Sequence, residues 1–285
     1  TGSGQNIGRG IAHHLAAAGF NIIINGSSNR DAAESVADEV RAHGVTALVV
    51  MGNVGNKTEA ETIAKTGIAH FGAIDVLVNN AAIRPHAAFL ETSDEDWQKI
   101  LDVDLNAAVW LSRVVLPGMV SNGWGRIISF SGMNAQRGYP GASAVSVAKH
   151  AVWGLTKALA VEFGPSGVTA NIISPGTFPG DNPAKASDPK FTKLLNENPT
   201  RRLGTTDDIG GMISYLCSDH GGFVNGQMLQ INGGVPSSDG GRRKNSAASS
   251  TSPSSRRTTT TSPPAATSTQ ATPKPTGPSR RSSRN

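Results

Sequence analysis

Apolar residues over the first 235 positions follow two rhythms that alternate along the chain. Short, nearly unbroken apolar runs occur at Phe20–Asn25, Val45–Val50, Ile74–Asn79, Arg126–Phe130, Val168–Ile173 and Gln227–Ile231. Runs of this length without polar alternation predict strands buried on both faces. Between them, helical spacing extends over about Ile7–Ala18, Arg30–His43, Lys57–Phe71, Ser93–Leu116, Ser143–Phe163 and Thr206–Ser218. Strand and helix in strict alternation predict an α/β fold, a Rossmann-type doubly wound parallel sheet with helices on both faces. Pro175–Pro199 is the one long irregular stretch, Pro-rich with a single small helical candidate. Such segments in compact domains often serve as lids or binding loops.

The pattern has a gap at its start. Thr1 opens directly into a glycine-rich turn and a helix, with no apolar strand before it. In a doubly wound sheet the strand entering that turn is the central one. Without it, its two neighbours expose unpaired backbone edges in a buried sheet. The expectation is a sheet lacking its first strand, through truncation of the sequence or gene model.

Composition changes the picture mainly at the other end. The chain of 285 residues has 26 Lys plus Arg against 21 Asp plus Glu, a net charge of +5. From Pro236 to Asn285 there are 9 basic residues and one acid, so this tail carries +8 and residues 1–235 carry −3. The tail also has 22 Ser or Thr and 7 Pro, with no large apolar residue. It cannot bury enough surface to offset the entropy of ordering and is expected to be disordered. The expected organisation is therefore one domain over residues 1–235 and a tail over 236–285. The single cysteine, Cys217, excludes an internal disulfide framework and fits a reducing, cytoplasmic setting. No segment approaches the roughly 18 to 20 unbroken apolar residues of a membrane helix, and the opening TGSGQNIGRG lacks the features of a signal peptide. The seven histidines show no metal-ligand spacing, so no metal is expected.

The chemistry lies in a set of short motifs. Thr1-Gly2-Ser3-Gly4-Gln5-Asn6-Ile7-Gly8-Arg9-Gly10 places small residues and free N–H groups at a helix N-terminus, a ready pyrophosphate site. Asn79-Asn80-Ala81-Ala82 ends a strand, Ser174-Pro175-Gly176-Thr177 follows a later one, and Asn232-Gly233-Gly234 closes the globule. In this order and spacing they resemble the short-chain dehydrogenase/reductase family, and within it the 3-oxoacyl-acyl-carrier-protein reductase-like members. The resemblance covers residues 1 to about 235. It implies that Gly2, Gln5, Ile7 and Gly8 surround the cofactor phosphates, that Asn79 and Ala81 lie along the cofactor, and that Pro175, Gly176 and Thr177 flank the nicotinamide. Asn6 replaces the middle glycine of the family turn, a position where Asn tolerates left-handed backbone better than other residues. Asn53 stands where relatives often place an Asp near the adenine and can still accept from its amino group.

Cofactor choice rests on the end of the second expected strand. Asn25-Gly26-Ser27-Ser28-Asn29-Arg30 contains no acid to hold a ribose 2′-hydroxyl. Ser27 and Arg30 suit a 2′-phosphate, so NADP(H) is favoured over NAD(H); the alternative for Arg30 is a solvated residue in the first turn of the next helix.

The family's catalytic set is only partly present. By resemblance, Lys149 matches the family Lys, its tyrosine partner falls on Val145, the serine position on Gly132 and the helix asparagine on Asp104. Ser131 and Tyr139 are the nearest substitutes for the missing hydroxyl and phenol, though ordinary loop roles compete. Asp104 shares a helical stripe with Trp97, Leu101, Ala108, Leu111 and Val115, so its carboxylate is expected to face the sheet and pair with Lys149.

Two functions follow. One is an NADP(H)-dependent oxidoreductase that interconverts a carbonyl and a secondary alcohol, its substrate loop drawn from Ile83–Leu90 and Phe178–Leu195, whose apolar residues with few charges suit a small or fatty-acyl-like carbonyl; the resemblance further implies a homo-oligomer through the two long helices. The other is a catalytically idle nucleotide-binding protein of the same fold, acting as sensor or assembly partner. Membrane association is not expected, and nucleic acid is an unlikely partner, reachable only by the basic tail, which has no aromatic residue for stacking.

Overall fold

The computed structural model describes residues 1–180 and 188–236. Part of the irregular stretch and the tail from residue 237, with the disorder expected there, lie outside the described residues.

The expected elements form with small shifts at their ends. Helices α1 (Asn6–Ala17), α2 (Arg30–Arg41) and α3 (Lys57–Phe71) alternate with strands β1 (Ile22–Gly26), β2 (Ala47–Met51) and β3 (Val76–Asn79). Local chemistry sets the starts of two of these helices. The Asn29 side chain accepts from the Ala32 N–H and the Asn56 side chain from the Glu59 N–H, each satisfying a donor the helix itself leaves free.

A correction concerns the long stretch Ser93–Leu116, expected as one continuous helix. It is α4 (Asp94–Leu101), one π turn (Asp102–Asn106) and α5 (Ala107–Asn122). The π turn accommodates an extra residue per turn, which resets the helical face. Ile100 rather than Leu101 is the buried residue before it, and Asp104 points inward. Asp94–Asn122 is long and apolar enough, by length and composition alone, to cross a membrane. Here Ala107, Leu111, Val115 and Met119 are buried in the core.

Strand β4 (Gly125–Phe130), the short helix α6 (Met133–Arg137), α7 (Ser143–Phe163) and β5 (Val168–Pro175) follow. The small helical candidate of the irregular stretch is α8 (Pro189–Glu197), after which come α9 (Thr206–Cys217) and β6 (Met228–Ile231). All strand pairs are parallel, and β4 and β5 are buried along their full length. Arg126, on β4, is buried by exception. Its Nε donates to the Leu216 carbonyl at 3.0 Å, Nη1 donates to the Gly125 carbonyl at 2.8 Å, and the guanidinium lies 4.3 Å from the Trp124 ring centre.

The strands form two sheets, β1-β2 and β3-β4-β5-β6. Between the free edges of β1 and β3 lies a cavity of about 350 Å³, lined by Ile11 and Leu15 of α1 and by Ile63, Leu111 and Val115 of α3 and α5. This is where the doubly wound pattern wants its central strand, and the described chain supplies only its exit. The Ser3 N–H donates to the Asn25 carbonyl at 2.9 Å and the Thr1 hydroxyl to the Val78 carbonyl at 3.3 Å, bridging one end of the gap. One core cluster combines α1, α2 and α9 with the strands, and a second joins α3, α5 and α7. The fold is thus helix, sheet, helix, with the C-terminal strand ends and their loops gathered at one edge. Arg202 makes two bonds to Asp208 in the first turn of α9, at 2.6 and 2.7 Å, at the start of that helix.

Candidate active site

The glycine-rich turn is held by contacts that leave little choice of residue. Gly2 has φ +60°, and a Cβ on it would lie 3.1 Å from the Ala81 Cα. A Cβ on Gly8 would sit 2.2 Å from the Gly2 carbonyl oxygen, so any side chain there would push the turn off the helix. Asn6 adopts φ +51° and makes the left-handed turn despite its side chain. The Thr1 hydroxyl accepts from the N–H groups of Asn80 and Ala81, both at 3.1 Å, and Asn80 Nδ2 donates to the Gly2 carbonyl. Turn and β3 end are therefore one unit. Gln5, at the N-cap of α1, is exposed, and Ile7 is half-buried behind it. A compact turn opening onto a helix N-terminus fits the diphosphate of a dinucleotide.

The adenosine end is more open. Ser27 and Arg30 are exposed beyond β1, and Arg30 donates to Glu34 at 3.1 Å. Asn53 Oδ1 already accepts from the Gly55 N–H at 3.0 Å, which leaves one lone pair on that oxygen. Asn79 Nδ2 donates to Ser129 Oγ at 3.3 Å, while Asn79 Oδ1 is buried without a hydrogen-bond partner.

Asp104 and Lys149 meet as their positions suggested. Lys149 Nζ lies 3.1 Å from Asp104 Oδ2, and both side chains are almost fully shielded from solvent. The other carboxylate oxygen of Asp104 accepts from the Ile83 N–H at 2.8 Å. Burial pushes the Lys149 ammonium below its ordinary pKa, and the neighbouring carboxylate pulls the other way. The π turn aims Asp104 at this point, and α7 carries Lys149 to it.

Lys149 also opens onto a cavity of about 390 Å³. Ser131, from the loop after β4, and Tyr139, from the loop before α7, line it, as do Val145 and the Pro175–Thr177 loop. Ser131 is buried, with its N–H donating to the Ile173 carbonyl at 2.8 Å. Gly176 is pressed against the end of β6, where a Cβ would lie 2.7 Å from the Asn232 Cα. Its N–H donates to the Ile231 carbonyl at 2.8 Å. Tyr139 is half-exposed at the rim, its ring 5.6 Å from that of His86 in an edge contact.

Arg84 and His86, both at the cavity, lie in the Ile83–Leu90 stretch expected to supply a substrate loop, but neither stands out in the sequence, because a loop gives no periodicity from which to read which side chains turn inward. The tie between their loop and the one before α7 is local. The Ala87 N–H donates to the Gly141 carbonyl at 3.1 Å, and Gly141, at φ +76°, leaves the room His86 occupies. Among the described residues no cluster of three or more His, Cys, Asp or Glu could hold a metal ion. Cys217 is buried in the core, which pushes its thiol up to about 12 and makes it a poor nucleophile.

A phosphate turn beside a parallel sheet, with a buried lysine next to a cavity at the strand ends, fits a dinucleotide-dependent oxidoreductase. Comparison with known proteins agrees. A family model described as enoyl-(acyl carrier protein) reductase matches residues 2–236. The 3-oxoacyl-[acyl-carrier-protein] reductase FabG of Staphylococcus epidermidis is 32% identical over 235 residues, covering 82% of this chain and 96% of its own. The oxidoreductase YohF of Escherichia coli, itself uncharacterized, is 37% identical over 237 residues, covering 82% and 93%. A solved structure from Agrobacterium tumefaciens, provisionally assigned as a gluconate dehydrogenase, superposes with TM-score 0.75 at 30% identity, covering 82% and 92%. The chain belongs to the short-chain dehydrogenase/reductase family of NAD(P)-dependent oxidoreductases.

Proposed function

We propose that this protein is an NADP(H)-dependent oxidoreductase that interconverts a carbonyl and a secondary alcohol in the cavity beside Lys149. One observation carries the reading: Lys149, backed by the buried Asp104 at 3.1 Å, lines a cavity shared with Ser131, Tyr139 and Pro175–Thr177. The bound cofactor supplies or removes the hydride. Ser131 Oγ donates to the carbonyl oxygen, Tyr139 Oη delivers the proton, and Lys149 holds the nicotinamide ribose while Asp104 opposes the loss of its charge. Relatives named as 3-oxoacyl-[acyl-carrier-protein] reductases support reduction of an oxo group. The preference for the 2′-phosphate rests on Ser27 and on Arg30, whose bond to Glu34 is between exposed groups and gives way at little cost. Val147 and Val161, exposed on α7, support assembly into a homo-oligomer through that helix.

The substitution of Val145 at the expected phenol favours a second reading, nucleotide binding without turnover. NADPH fluorescence titration and NADPH consumption over a panel of ketones and aldehydes separate the two. Consumption is expected, faster with NADPH than with NADH, and Tyr139→Phe should lower kcat about 100-fold, as for loss of a proton donor. Tight binding with no consumption of any carbonyl compound would leave the second reading standing.

A further inference from the structure

The cavity beside Lys149 has an uneven charge. Arg84 lines it opposite no acid: the described residues around the cavity include Arg84, His86 and Lys149 and not one Asp or Glu. Asp104 lies behind Lys149 and offsets that ammonium at 3.1 Å. Arg84 has no such partner. Among the described residues it makes neither a hydrogen bond nor an ion pair, and its charge is close enough to disfavour the charged form of Lys149. The guanidinium presents a planar fork of donors that matches a carboxylate. Pro85, Met133, Ala135 and Val145 add apolar wall beside the uncharged polar Asn134 and Ser146, and partial shielding from solvent strengthens a charge pair relative to open water. Val145 is shorter than a phenol, so the same position leaves space between Ser131 and the Arg84 loop.

We propose that Arg84 is a specificity-determining residue and that the substrate is a small oxo acid, whose carboxylate pairs with Arg84 while its carbonyl oxygen faces Ser131 and Lys149. The substrate class rests on the proposed oxidoreductase reading, although the anion site does not require turnover. At 390 Å³ the cavity falls in the range of small-molecule sites, and the nicotinamide takes its share beside Pro175–Thr177. What remains suits a compound of a few carbons with the two functional groups at opposite ends.

The test uses unreactive mimics so that binding is read apart from catalysis. Oxamate, succinamate and glutaramate each carry one carboxylate and one amide carbonyl; oxamide, succinamide and glutaramide are their neutral counterparts. Calorimetric titration of the full-length protein with NADPH present should show at least one of the acids binding about tenfold or more tightly than its diamide. R84Q should erase that difference and R84K should keep part of it, since lysine retains the charge without the fork. Equal binding of acid and diamide, no binding of any acid by the wild type, or a preference that survives R84Q would each overturn the proposal. So would inorganic phosphate binding more tightly than every carboxylate. Failure of all carbonyl compounds to consume NADPH would sink the proposed activity alone, because the titrations decide the anion site independently.

Discussion

Lys149 and Asp104 depend on each other because neither charge is tolerable alone in this part of the core. The Asp104 side chain is fully shielded and that of Lys149 is 4% exposed. Removing one partner of such a pair leaves an uncompensated buried charge, which typically costs about 3–5 kcal/mol. The loss of Asp104 is one that pH reveals. In Asp104→Asn the amide can still accept from the Ile83 N–H, and Lys149 loses the influence that held its pKa up. A lysine with a lowered folded pKa binds fewer protons than in the unfolded chain, so its penalty is complete at low pH. That penalty is relieved as pH rises from the folded pKa towards the ordinary lysine value of about 10.4. Denaturant unfolding should therefore show the stability gap between wild type and Asp104→Asn narrowing from pH 7 to pH 9.5; a constant gap would mean the pair is not ionic. Lys149→Met should also be destabilising at pH 7, because Asp104 then loses its cation partner in the core. This pair was legible in the sequence, since the stripe of Trp97, Ala108 and Leu111 put Asp104 inward and the resemblance picked out Lys149. The Ile83–Leu90 stretch was legible as a substrate loop, but the individual parts of Arg84 and His86 within it were not, because side chains between β3 and α4 reach the cavity through contacts across the fold and nothing in their spacing records that.

Among the elements, α9 shows how a helix start can also anchor a loop. Asp208, the third residue of α9, accepts from the Thr205 N–H at 2.8 Å and takes two bonds from Arg202. The first is the reach-back half of a capping box, and the negative charge also suits the positive end of the helix. Together the Arg202 guanidinium and Thr205 hold the Asp208 carboxyl well below the usual carboxylate range. A depressed carboxylate stabilises fully above its unfolded pKa, near 3.9, and the benefit is lost as pH falls through the folded value. Arg202 is more than half exposed, so most of the effect belongs to the cap. Asp208→Asn should cost about 1 kcal/mol at pH 7, a drop of about 2–4 °C in Tm, and calorimetry below about pH 4 should find the difference shrinking. If the gap persists in acid, the carboxylate charge is not its source. The helix itself was readable from Thr206 to the apolar positions Ile209, Ile213 and Leu216. The π turn at Asp102–Asn106 was not, because a one-residue shift of phase inside a long apolar helix leaves the average period almost unchanged.

At the scale of the whole molecule, the alternation of strands and helices was enough to foresee parallel strands covered on both faces. What the pattern could not supply was how β1 and β3, which do not pair with each other, are held in place. The two sheets keep their places without pairing, because α1 packs over one side of the gap and α3 and α5 over the other, and the turn at Thr1–Ser3 pins the end nearest the candidate site. The phosphate turn and the Asp104–Lys149 pair thus sit at the tied end, while the untied length runs back towards Ile23 and Val76. In a parallel ladder successive residues offer their backbone groups to opposite sides. Ile22 donates to the Thr46 carbonyl and Arg126 to the Asp75 carbonyl, so Ile23 and Val76 face the gap, where no strand of the described residues adjoins them. Ile128 and Ile172, in contrast, lie on strands paired on both sides. Amide protection follows the cost of opening each bond locally or globally. Hydrogen exchange resolved to single amides should therefore show Ile23 and Val76 exchanging at least about tenfold faster than Ile128 and Ile172. Binding of NADPH at the tied end should slow the exchange of Ser3 and Asn25 before it affects Ile23. Equal protection of all four strand amides would mean that the gap between β1 and β3 closes in solution, and the two-sheet description would have to be abandoned.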